Sequence, residues 1–238
     1  MTSYFQNIAF FSGLLPLAFF FIFKKNNKQR GIKVIFIYLF YSFLNDVAAY
    51  YLVYKVHFDP YILYDIFTTA ELVFFCLFFL QNIKTKFGKK IILLIIFCFI
   101  IFSLVDYFLI RQDKSFNSTT TGVESFIIIA MCLYYFYDEL KQVTTDLIYT
   151  TKNFWIIIAF LFFLSGTFFL YIYAENMRKD VNFKTQYRLI NSSFLVLKNI
   201  LFSIAMIIKP RTQEKKNLPI EEHFSSDFNA VQPFKNLN

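Results

Sequence analysis

The sequence predicts an all-α, polytopic membrane protein: a bundle of about seven transmembrane helices, with the N-terminus outside and the C-terminus inside. Composition, the length of the apolar runs and the placement of the cations carry that expectation. Of 238 residues, 57% are hydrophobic, 22% aromatic and only 17% charged, whereas soluble domains hold about 45–50% apolar and about 25% charged residues. The excess is too large for a water-soluble core and fits a chain solvated by lipid.

Seven apolar runs are long enough, or nearly so, to cross about 30 Å of hydrocarbon at about 1.5 Å per residue. They cover residues 4–23, 34–54, 61–80, 91–110, 122–137, 154–173 and 189–208. The run at 122–137 is the shortest and needs the preceding 115–121 stretch, or a locally thinner bilayer, to complete a crossing. Pro16 lies inside the first run, where it removes a backbone donor and should kink or loosen the helix. Residues 1–7 carry no Lys or Arg and no small-residue cleavage site follows Phe23, so the first run is expected to remain as a helix.

The cations set the expected orientation, because short cytoplasmic loops retain Lys and Arg. With the N-terminus outside, sixteen Lys and Arg residues fall on the inner side, beginning with Lys24, Lys25, Lys28, Arg30 and Lys33 and including Lys141 and Lys152. Seven fall outside, Lys55, Lys184 and Arg188 among them, and Lys198 is left within the seventh run. Trp155 and the Tyr50, Tyr51, Tyr54 and Tyr61 cluster stand where interfacial aromatic anchors are expected. The chain divides into a transmembrane domain, 1–208, and a polar cytoplasmic tail, 209–238, too poor in apolar residues to build a core. Abundant Phe, Tyr, Ile, Lys and Asn beside little Ala or Gly match the coding bias of an AT-rich genome, which points to a bacterial inner membrane.

The net charge of +8 does not point to nucleic acid, since the cations lie between apolar runs and form no stripe. Cys76, Cys98 and Cys132 each sit within an apolar run as small hydrophobes. His57 and His223 lie outside the spans, which argues against a histidine metal site, and no cofactor is expected.

Ionisable residues inside the spans carry the functional signal, because a charge at the centre of a bilayer costs about 2.5–3.5 kcal/mol by insertion scales. Asp46, Asp65, Glu71, Asp106, Glu124 and Lys198 qualify. Helix rise puts Glu71 and Lys198 about 15 Å deep and Asp46 about 13 Å deep. Ser42, Asn45 and Asp46 share one helical face, as do Asp65, Thr68 and Glu71. Ser125 adjoins Glu124, and Asn199 adjoins Lys198. The simplest arrangement is an outward-opening polar pocket with Lys198 near its floor, formed by Asp46, Glu71, Glu124 and Lys198 with Asn45, Thr68 and Asn199. The inner halves of the helices are aromatic and aliphatic. The plain alternative is that these groups are hydrogen-bond glue between helices, with Lys198 neutralised by Glu71 or Asp46. Asp65 and Asp106 are expected near the interface, within reach of water.

Two seven-helix families are excluded by their motifs. One turn before Lys198 stands Phe194, where microbial rhodopsins place an Asp, and Asp65-Ile66-Phe67-Thr68-Thr69 lacks the Trp and Pro of their Asp-Trp-x-x-Thr-Thr-Pro pattern. Leu80-Gln81-Asn82 replaces the Asp-Arg-Tyr triplet of G-protein-coupled receptors, and the last span has no Asn-Pro-x-x-Tyr. The preferred expectation is a non-enzymatic sensory or accessory module acting with the bilayer and a separate cytoplasmic signalling partner. A small proton-coupled transporter or channel is the alternative. A metal-independent lipid-acting enzyme comes third, because no nucleophile sits at recognisable spacing beside a base.

Overall fold

The computed structural model describes residues 2–57, 61–83, 85–110, 118–141, 148–177 and 180–209. The polar stretch expected to form a tail lies outside these residues from 210 onward. All regular structure among them is helical: α1 (Thr2–Ser12), α2 (Leu14–Ile22), α3 (Arg30–Tyr51), α4 (Tyr61–Asn82), α5 (Lys86–Val105), α6 (Ser118–Lys141), α7 (Lys152–Met177) and α8 (Val181–Ile207). Counting α1 and α2 as one span, seven helical segments are long and apolar enough to cross a membrane, an architecture that suggests a multi-pass membrane protein.

The break in the first span falls at Gly13, three residues before Pro16. Pro16 has no N–H to offer the Ser12 carbonyl, so the helical ladder lapses there. Gly13 instead makes a tighter 3.3 Å bond to the Phe10 carbonyl.

Several boundaries move outward from the expected runs. Helix α3 starts at Arg30, four residues early, and Gly31 in its first turn lies against α4, where a Cβ would come within 3.0 Å of the Asn82 amide. Helix α6 runs from Ser118 to Lys141, so the weak fifth run is a full-length helix. Helix α8 begins at Val181, where the Asp180 carboxylate caps the Asn182 N–H at 2.8 Å.

The helices close into a ring. Helix α7 packs between α6 and α8, α8 meets α1 and α2, α2 meets α3, α3 meets α4, and α4 meets α6. Helix α5 leans on α4 and α6 from outside; it is the most apolar span, with a mean hydropathy of 2.8, and the least buried. Large apolar side chains such as Phe97, Phe126 and Phe169 stand exposed around the ring, which is costly in water and neutral in lipid.

The two halves of the ring differ. Toward the ends of α2, α4 and α8, fully buried Ile35, Phe75, Phe79, Phe160 and Phe202 fill the interior, with the Phe160 and Phe202 rings 4.9 Å apart at 70°. That end is not wholly apolar. Lys152, assigned to a loop from sequence, is buried and donates to the Asn27 side-chain oxygen, while Asn27 donates to the Met206 and Phe20 carbonyls at 3.3 and 3.4 Å. These bonds tie the turn after α2 to the start of α7 and the end of α8. Asn153 donates to Asn82 at 2.7 Å and adds a second tie.

Candidate functional site

The other half of the ring is hollow. A cavity of about 480 Å³ runs between α3, α4, α6, α7 and α8 and reaches Gln6 of α1. Its rim is formed where α1, α4 and α8 begin and α7 ends, and its deepest polar groups are Glu71 and Lys198.

Tyr38, with no exposed surface, organises that floor. Its hydroxyl donates to Glu71 Oε1 at 2.6 Å and accepts from Lys198 Nζ at 3.2 Å. The ammonium also stands 4.0 Å from the centre of the Phe163 ring and about 6 Å from those of Tyr38 and Phe160. A lysine 4% exposed is thereby held by one hydroxyl and a cage of aromatic faces, with Glu71 on the far side of the hydroxyl. The charge is offset without direct pairing, which limits the cost of burying it.

Above this floor the cavity wall carries acceptors that no other described residue satisfies. Glu124, 2% exposed, lines it from α6, and its Oε1 has no hydrogen-bond partner among the described residues. Asn45, 5% exposed, lines it from α3, and its Oδ1 is likewise unpartnered. Asp46 and Ser42 join them on the same wall. Buried acceptors of this kind cost about 1–3 kcal/mol each when left unmade, more if charged, so two facing one cavity mark where a donor is wanted.

The rim is basic and aromatic. Lys184 and Arg188, both exposed, line the mouth from the first turns of α8, beside Tyr187 and Tyr64. Tyr171, within the wall, donates to Asn191 at 3.1 Å.

Of the residues selected from sequence, Asn45, Asp46, Thr68, Glu71, Glu124 and Lys198 all line this one cavity. Thr68 directs its hydroxyl hydrogen to the Tyr64 carbonyl of its own helix at 3.0 Å, leaving lone pairs for the cavity. Asn199 does not belong. It lies one position past Lys198, about 100° round the helix, and its amide donates to Ser12 at 2.8 Å, clamping α8 to α1. The expectation for Asp106 is also corrected: it is buried, 4% exposed, and accepts from Thr120 of α6 at 3.2 Å. Ser165 and Thr167 bond the carbonyls of Leu161 and Phe163 within α7.

Sequence reasoning missed Tyr38, Lys184, Arg188 and Tyr187. The signal for Tyr38 was present: it stands one turn before Ser42 and two before Asn45, on the face already singled out for α3. The signal for the rim was the run Lys184, Arg188, Asn191, Leu195, Lys198, spaced by three or four and continuous with the buried face of α8.

The fold and cavity together define a seven-span helical bundle hollowed at one end. Comparison of the chain with protein-family models, curated proteins and solved structures finds no match.

Proposed function

We propose that this chain is a non-enzymatic, receptor-like module of a bacterial inner membrane, which receives a small ligand in the α3–α8 cavity and passes the change to a separate cytoplasmic partner. The observation that carries this reading is the pair of unpartnered buried acceptors, Glu124 and Asn45, in a cavity of about 480 Å³, a size within the range of small-molecule sites. The cation distribution supports an N-out, C-in orientation, in which the cavity mouth faces outward.

Transport, the alternative, draws support from the Glu71–Tyr38–Lys198 chain, which resembles a piece of a proton relay. The packed aromatic half below it argues against a through path: Phe75, Phe160 and Phe202 fill the space that a conduit would need. Purified protein in liposomes under an imposed pH gradient distinguishes the two. The receptor-like reading predicts no flux above that of empty vesicles. Flux that disappears in Lys198→Met overturns it.

A further inference from the structure

We infer that the cavity takes a linear zwitterion of short-peptide type, bound with its ammonium group down at Glu124 and Asn45 and its carboxylate up at Lys184 and Arg188. This rests on the reading of the cavity as a ligand site and names the chemistry of the occupant.

The buried part of the cavity is rich in acceptors. Asp46, Glu71 and Glu124 face one ammonium, Lys198, which is already engaged by Tyr38 and the Phe163 ring. Glu124 Oε1 and Asn45 Oδ1 are left without donors among the described residues. An ammonium group brings three N–H donors and a positive charge to that place, and the aromatic wall favours a cation further. A neutral hydroxyl has one hydrogen to give and would satisfy only one of the two acceptors.

The mouth has the opposite sign. Lys184 and Arg188 lie one turn apart on α8 and line the cavity while reaching solvent, so a carboxylate seated there meets two cations. A bare cation would be repelled at this entrance. Arg188 and Lys198 are ten residues apart on one helix, so mouth and floor are about 15 Å apart along its axis, and this bounds the length of a ligand seated above the floor. Four extended residues span about 13–14 Å. Between the two charged ends, hydroxyl and amide groups of Ser42, Thr68 and Asn191 suit a peptide backbone better than an alkyl chain.

The test uses the full chain in lipid nanodiscs, with Ser42→Cys in a Cys98→Ala background as a reporter inside the cavity. Labelling of that cysteine by a water-soluble maleimide is followed with the tetrapeptide Ala-Phe-Ala-Ala, its N-acetyl form and its C-terminal amide. The free peptide is expected to protect the cysteine, with acetylation raising the half-protecting concentration at least tenfold and amidation raising it several-fold. Adding Glu124→Gln is expected to erase the penalty of acetylation, and Arg188→Ala that of amidation; Arg188 is exposed, so its loss leaves the fold intact. Equal protection by the free and acetylated peptides, or no protection by any form while the cysteine remains reactive, overturns the ligand class but leaves the cavity standing. A cysteine that never reacts overturns the cavity reading and this inference with it.

Discussion

Glu71 and Lys198 are joined through a third side chain: the Tyr38 hydroxyl donates to the carboxylate at 2.6 Å and accepts from the ammonium at 3.2 Å. One buried phenol thus holds α3, α4 and α8 together at the floor of the cavity, and the three groups act as a unit. Tyr38→Phe keeps the ring packing and removes the bridge, and is expected to cost about 1–3 kcal/mol of stability. Lys198→Met leaves Glu71 without its compensating charge and should cost about 3–5 kcal/mol. The double variant Lys198→Met/Glu71→Gln should lose less than the sum of the two single losses, because each change removes the reason the other group was needed. Unfolding of the purified variants in detergent, Glu71→Gln alone among them, measures all four losses.

Gly166 carries a separate prediction. A Cβ at this position would sit 2.3 Å from the Phe194 ring, so that ring fills the space beside Gly166 that a larger residue would need. Gly166→Ala is expected to lower stability by about 1–3 kcal/mol through overpacking. Phe194→Leu, added to it, should return part of the loss. If Gly166→Ala alone melts with the wild type, the Phe194 ring is free to turn aside and is not locked against α7.

The apolar end has its own buried cation. Lys152 donates to Asn27, which is fixed by the carbonyls of Phe20 and Met206. Asn27→Leu removes the acceptor and leaves an ammonium buried, so it should destabilise more than the pair Asn27→Leu/Lys152→Met, in which the charge has gone as well. Thermal unfolding of the two variants gives the order directly.

The helices and the gathering of charge were legible in the sequence because lipid imposes simple rules: runs of about 20 apolar residues form helices, and an intramembrane carboxylate turns inward. Charge within the spans, depth and spacing together pointed to Asn45, Asp46, Thr68, Glu71, Glu124 and Lys198, and all six line the same cavity. Asn199 misled because a residue next to Lys198 in sequence lies on a different face of α8, the one packed on α1. Lys152 misled because a cation at the edge of an apolar run reads as a loop residue, and only the long-range partner Asn27, 125 positions away, draws it in. Tyr38 was hidden by composition: among 16 Tyr and 36 Phe, an aromatic residue in a span reads as packing, and its hydroxyl role emerges only when α4 and α8 are brought to it.

The sequence also ended the last span's outward reach too soon. Hydropathy stops at Leu189, but the helix is capped at Asp180 and its first turns are amphipathic, so the basic rim of the cavity belongs to a helix and not to a loop. Arg188→Glu reverses one of the two rim cations at an exposed site; it should leave the unfolding temperature nearly unchanged while weakening protection of Ser42→Cys by the free tetrapeptide at least tenfold.

The central claim is that the charged floor of the bundle lies in a cavity open to one end only. Side-specific labelling of Ser42→Cys, in the Cys98→Ala background, tests it most directly, using a membrane-impermeant maleimide on right-side-out and inverted vesicles. The account predicts reaction in right-side-out vesicles and none in inverted ones, where the Phe75, Phe160 and Phe202 packing intervenes. Reaction in inverted vesicles, or from both sides, contradicts it.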